Sequence, residues 1–279
     1  MVPTFTVCIG LDKSHLEQWE ITLPTWVRNK PTLFEHPFLI FYDDPRLELP
    51  IYRLLEKNGV MSRTRCQTVL WENLSAKASG DQAYTKWNDP HRAHMLAGFV
   101  HVPGRLVNVS TDYVLKLDVD LVASHQPDLE PDTEWIDARW FEFSPAIVAH
   151  RWTFTKPPDQ MLVLDQWVKD NESKLPWFWN TQPLNMVPVP NATKLGHARI
   201  ISWCGFFRSD FVSMTSLMCF HTVGDAMPVA SQDGFQWYVA KRLKYPIIRP
   251  DMKSLGWEHW GTTFNLKQSA QRALEGTKT

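Results

Sequence analysis

The order in which short apolar runs and amphipathic stretches alternate over the first 120 residues constrains the fold of this chain more than any other feature. Residues 5–10 (FTVCIG), 38–42 (FLIFY), 65–71 (RCQTVLW) and 113–117 (YVLKL) are β-rich, and the unbroken run at 38–42 marks a strand buried on both faces. Helical patterns separate them. Ser14 with Glu17 forms a capping box ahead of Leu16, Trp19 and Leu23, and Pro24 ends or restarts that helix. Pro50 opens a short helix carrying Ile51, Leu54 and Leu55, which Asn58-Gly59 closes. Asp89-Pro90 starts another, with Ala93, Leu96, Ala97 and Val100 facing inward. A β-α-β-α-β-α-β order joined by right-handed crossovers predicts an α/β fold with a mainly parallel sheet.

The second half is less regular. Residues 135–143 alternate as an edge strand would, 146–149 and 199–207 read as strands, and 160–168 and 209–218 as helices. Residues 175–190 form a Pro- and aromatic-rich loop, and Ser231 caps a helix carrying Phe235, Val239 and Leu243. No repeat or linker interrupts the chain, so residues 1–279 are expected to form one domain, with 1–120 its ligand-binding half.

Composition narrows the function. Twenty-nine basic and 30 acidic side chains leave a net charge of -1, with no long Lys/Arg run, which disfavours a nucleic-acid partner without excluding one. Cys8, Cys66, Cys204 and Cys219 are widely spaced, pointing to free thiols rather than zinc or a disulfide framework. With no signal peptide and no run of 18 apolar residues, a cytoplasmic protein without a transmembrane segment is expected, and the Asn-x-Ser/Thr matches at Asn73, Asn108, Asn171 and Asn191 are read as chance. Fourteen tryptophans are more than a core of this size needs, and the surplus suits a cleft for flat sugar or other ring-shaped faces.

Open parallel sheets bind ligands at the carboxyl ends of their strands, where this chain gathers its acids. Asp12 follows the first strand, Asp43 and Asp44 the second, Glu72 the third, and Asp118 and Asp120 end the fourth. In Asp118-Val119-Asp120 the two carboxylates project to one side while Val119 packs inward. Such oxygen ligands suit Mg2+ or Mn2+ with positions left open for diphosphate oxygens. Lys86, Asn88, His91 and Arg92, before the fourth strand, offer groups for phosphate or ribose, and Trp203 and Arg208 are candidates to face an acceptor.

Residues 115–120 (LKLDVD) resemble the metal motif of GT-A glycosyltransferases, the fold of many family 2-like enzymes. Residues 38–44 (FLIFYDD) resemble that family's second strand, whose terminal acids contact the donor's base and ribose. Gly205-Phe206-Phe207-Arg208 resembles its acceptor-side segment, and Ser231-Gln232-Asp233 the helix start whose last acid is the base of inverting members. The resemblance runs over nearly the whole chain in the family's order, though Gln232-Asp233 stands where many members have two acids.

The resemblance implies a Rossmann-like GT-A sheet flanked by helices, a smaller mixed sheet on the acceptor side (residues 121–279), and a hexosyltransferase-like enzyme. Asp118 and Asp120 would hold Mn2+ or Mg2+, with His259 completing the shell and His150 and His221 weaker candidates. Asp12, Asp43, Asp44, Lys86, Arg92 and Asp118 would bind the donor, a UDP- or GDP-sugar, and Asp233 would deprotonate a glycan, small-molecule or other hydroxyl acceptor. A carboxylate in a first helical turn is favoured by the helix dipole and stays ionised, as a base must. Two alternatives stay open. A nucleotidyltransferase acting on sugar phosphates lacks its usual Gly-rich basic loop here, where Leu11-Asp12-Lys13-Ser14-His15 stands instead. A non-catalytic nucleotide- or sugar-binding module has no need of a base opposite a metal.

Overall fold

A computed structural model of the chain describes residues 1–42, 44–70, 109–124, 135–153, 166–174, 198–220, 236–237, 239–241, 243–260 and 263–276. Among these residues the strands are β1 (Phe5–Leu11), β2 (Phe38–Tyr42), β3 (Cys66–Leu70), β4 (Tyr113–Leu117), β5 (Leu121–Ala123), β6 (Ile147–Thr153), β7 (Ala198–Arg208), β8 (Ile247–Ile248) and β9 (Trp257–His259). Helices α1 (Lys13–Asn29), α2 (Glu48–Lys57), α3 (Ser209–Phe220) and α4 (Thr263–Glu275) accompany them among the described residues.

The central sheet runs β3-β2-β1-β4-β7-β6-β8. Strands β1 to β4 are parallel, with Val7 opposite Phe38, Phe38 opposite Cys66 and Phe5 opposite Tyr113. All residues of β2 and β4 are buried, as strands in the middle of a parallel sheet must be. Strand β7 enters antiparallel between β4 and β6, so Cys204 faces Leu117 and Arg208 faces Tyr113. The smaller sheet is antiparallel rather than mixed, pairing β5 with β9.

Helix α1 begins at Lys13, with Asp12 rather than Ser14 as its cap. The Asp12 carboxylate accepts from the His15 N–H at 2.8 Å and from Ser14 Oγ at 2.7 Å. An ionised acceptor satisfies the orphan N–H groups and the helix dipole better than a hydroxyl, and Ser14 becomes a donor to it. Pro24 does not end α1, which continues to Asn29. An interior proline costs about 3 kcal/mol. Full burial of Trp26, about 1.5–3 kcal/mol, and the hydrogen bonds of the turn beyond it offset that cost.

Helix α2 starts two residues before Pro50, which sits in a first turn whose N–H groups need no intrahelical partner. Its end is a Schellman motif at a Gly59 φ of +67°: the Gly59 N–H donates to the Glu56 carbonyl and the Val60 N–H to the Leu55 carbonyl, both at 2.9 Å. Residues 135–143 are not an edge strand. Asp137 accepts from the Arg139 N–H at 2.9 Å and starts a 3₁₀ turn over Ala138–Phe141. Of the helix expected at 160–168 only the end is described, with residues 166–171 helical. The helix expected from Asp89-Pro90, the loop at 175–190 and the helix start at Ser231 lie outside the described residues.

Gly205 sits mid-strand in β7, where an added Cβ would lie 3.0 Å from the Ala149 Cβ and 3.1 Å from the Phe207 ring. Ala149 has no rotamer with which to yield, so β6 itself must shift. Gly205→Ala is expected to destabilise the fold by about 1–3 kcal/mol. Urea denaturation measures this, and an unchanged midpoint would contradict the packing argument.

Candidate metal centre

Strand β4 ends at Leu117, and the chain turns back at once. The Leu121 N–H donates to the Asp118 carbonyl at 3.3 Å, so the two acids lie in a tight turn between β4 and β5 rather than on an extended strand end. The turn carries Leu121 opposite His259 in the small sheet, and the Trp260 N–H donates to the Asp120 carbonyl at 3.3 Å. One ligand atom from each of Asp118, Asp120 and His259 then falls within 4.8 Å of the others. Asp120 Oδ2 and His259 Nε2 are 3.2 Å apart. Val119 packs into the core beneath them.

Helix α1 holds this turn from behind. Thr22 Oγ1 donates to the Val119 carbonyl at 2.5 Å and Trp26 Nε1 to the Leu121 carbonyl at 2.6 Å. Thr25 Oγ1 accepts from the Ala123 N–H at 3.0 Å, and Asn29 Nδ2 donates to the Ala123 carbonyl at 2.7 Å. These four residues share one helical face. Helix α4 seals the arrangement: Ser269 Oγ donates at 2.8 Å to Glu258, the β9 residue before His259.

Strand β7 contributes through a bulge. Its pairing with β6 jumps from Ala149↔Gly205 to His150↔Ile201, leaving residues 202–204 out of register. There the Asp118 N–H donates to the Trp203 carbonyl at 2.8 Å. The Trp203 ring stacks on His259 with 5.9 Å between centroids and an interplanar angle of 12°. Bulges next to sites commonly re-aim a side chain in this way. Trp203 is fully buried, so it braces the histidine and does not face an acceptor. Among the described residues Trp19, Trp26, Trp135, Trp203, Trp237 and Trp257 are core residues.

Lys116 and His15 lie beside the triad, and its acids act on its own histidine. Lys116, on β4, pairs with Asp118 Oδ1. Burial opposes a charge on His259, but the hydrogen bond to Asp120 and the nearby Asp120 and Asp118 carboxylates outweigh it and raise its pKa. His15 is held to Asp12 at 3.1 Å, and that bond raises its pKa against burial, with help from Asp118 and Asp120. The same contact holds Asp12 far below the ordinary carboxylate range. Lys116 and His15 were not among the residues expected from the sequence, although the K-x-D-x-D alternation at the end of β4 carried a signal for Lys116.

Among the described residues, several others expected from the sequence have local partners. Asp44 caps the turn Pro45–Leu47 and pairs with Arg46 at 2.6 Å. Arg208 lies opposite Tyr113 at the far end of β4, pairs with Asp210 at 2.6 Å and is no acceptor contact beside the triad. Four residues of strand, about 13 Å, separate that end from Leu117. Gly205 is used for packing. His150 Nδ1 accepts from the Met252 N–H at 3.1 Å, and the ring lies against Trp203. Asp43, Glu72, Lys86, Asn88, His91, Arg92, His221 and Asp233 lie outside the described residues.

One pair of the triad has the spacing that a divalent cation asks of neighbouring ligands. Adjacent corners of an octahedron with bonds of about 2.1–2.2 Å are about 3 Å apart, which matches the separation of His259 Nε2 from Asp120 Oδ2. Two carboxylates with one imidazole suit a first-row ion of borderline hardness, with positions left for further oxygens.

No family model and no curated protein sequence matches the chain. Solved structures do. Core-mannan synthase A (CmsA/Ktr4) from Aspergillus fumigatus, in its Mn/GDP form, aligns over 99% of this chain and 86% of its own, at 12% identity and a TM-score of 0.50. The mannosyltransferase Ktr4p from S. cerevisiae, in complex with GDP, aligns over 92% of this chain and 71% of its own, at 11% identity and a TM-score of 0.55. At such identity the likeness is one of fold: the chain has the GT-A fold, as its motifs implied.

Thr22→Val keeps the shape of the side chain but leaves the Val119 carbonyl buried without its donor. A loss of about 1–3 kcal/mol is expected, together with weaker binding of Mn2+. Paired denaturation and Mn2+ titrations check this, and wild-type values in both would remove α1 from the support of the turn.

Proposed function

We propose that this chain is a metal-dependent glycosyltransferase moving a sugar from a nucleoside-diphosphate sugar to an acceptor hydroxyl. The observation that carries the reading is the convergence of Asp118, Asp120 and His259 at the carboxyl end of β4 in a GT-A fold. Those three residues would hold Mn2+ or Mg2+, which when bound neutralises charge on the departing diphosphate. The Mn/GDP and GDP forms of the two similar structures support a GDP-sugar beside a UDP-sugar as donor.

The chain's own groups supply the rest. The α1 face fixes the backbone of the turn that carries the carboxylates, so little rearrangement of that turn is needed at the moment of reaction. Asp233 is the proposed base: it takes the proton from the acceptor hydroxyl as that oxygen attacks the anomeric carbon from the face opposite the diphosphate, inverting the configuration. Among the described residues no helix is long and apolar enough to cross a membrane.

Asp118→Asn and Asp120→Asn are each expected to abolish metal-dependent binding of GDP or UDP while leaving the fold intact. Calorimetry with Mn2+ tests this, and unchanged affinity in both variants would sink the metal assignment. Asp233→Asn is expected to keep donor binding and lose on the order of 10²–10⁴ in turnover. Product NMR decides the stereochemistry, since an α-linked product from an α-configured donor would overturn the inverting route.

A further inference from the structure

Lys116 is a costly residue to place in the middle of a sheet. Its side chain is 9% exposed, and a buried ammonium needs a partner. Its register neighbours are two small residues, Cys8 on β1 and Gly205 on β7. The ammonium emerges at Asp118 Oδ1, beside the oxygens that would hold the ion. A fixed positive charge there repels a bare cation and attracts an anion.

We propose that Lys116 is a positioning residue of the metal centre that keeps affinity for the free ion low and affinity for the ion with its diphosphate high. The proposal rests on the metal-centre reading above. Asp118, Asp120 and Lys116 together carry one net negative charge. A divalent ion turns this into one net positive charge, which suits an anionic diphosphate. With the ammonium removed, the ion would meet two net negative charges, and the loaded centre would be neutral. Lys116 therefore acts in opposite directions on the two ligands, which a merely structural ion pair would not do. Ligating carboxylates usually depend on such outer partners for their orientation.

The experiment compares wild type with Lys116→Met, Lys116→Gln and Lys116→Arg, each checked for fold by circular dichroism. Free Mn2+ is titrated by electron paramagnetic resonance, and GDP and UDP by calorimetry at saturating Mn2+. The Met and Gln variants are expected to bind Mn2+ about tenfold more tightly and the diphosphate about tenfold more weakly, and the Arg variant to match wild type. Gln retains a donor to Asp118 and serves if Met fails to fold. Wild-type Mn2+ affinity in the neutral variants, or weakening of both ligands, would overturn the role of Lys116 and leave the metal centre standing. Failure of wild type to bind Mn2+ with or without either diphosphate would overturn the metal reading, and this inference with it.

Discussion

Side chains of α1 hydrogen-bond the backbone of residues 119–123, and the geometry of the candidate site depends on that contact. A turn that reverses a buried strand leaves peptide groups with no ladder partner, and each one left unpaired costs about 1–3 kcal/mol. Thr22, Trp26 and Asn29 cover the carbonyls of Val119, Leu121 and Ala123, and Thr25 covers the Ala123 N–H. With its inner side satisfied, the turn presents Asp118 and Asp120 outward and leaves β5 free to pair with β9. The continuation of α1 beyond Pro24 belongs to the same arrangement, since three of the four residues lie past the proline.

Electrostatics then divides the roles of the acids. Asp12 and Asp44 sit near strand ends, but each spends its oxygens locally, Asp12 on the start of α1 and Asp44 on Arg46. Asp118 and Asp120 are different because the backbone brings them together with a histidine. Two carboxylates this close repel one another, and Lys116 and His259 each offset part of that repulsion. Acids at strand ends are thus not equivalent: those that cap helices are already neutralised by local donors, and those in the β4–β5 turn keep acceptor capacity for a ligand.

Bracing of His259 follows the same logic of rigid support. Its ring stacks on Trp203, which the β7 bulge aims at it, and Trp203 packs in turn against His150. The neighbouring Glu258 is tied to Trp260 and Ser269. A ring held by packing on one side and hydrogen bonding on the other has little freedom left to lose to any ligand.

The sequence by itself determined that the first four strands form a parallel sheet, the position of β4 to the residue and the pair of acids at its end. These are short-range properties: apolar alternation, cap residues and turn formers act over a few residues and can be read from them. It misjudged features where local chemistry competes, such as the cap at Asp12, the helix running through Pro24 and the 3₁₀ turn at Asp137. Tertiary structure alone decided that residues 118–121 fold as a turn, that β9 pairs there, and that Trp203 belongs behind the histidine rather than in a cleft. It also showed Lys116, with two small register neighbours, reaching Asp118. No periodicity encodes such contacts, because they arise when segments distant in sequence bury surface and exchange hydrogen bonds together. The favoured pairing is the one that leaves the fewest buried polar groups without a partner.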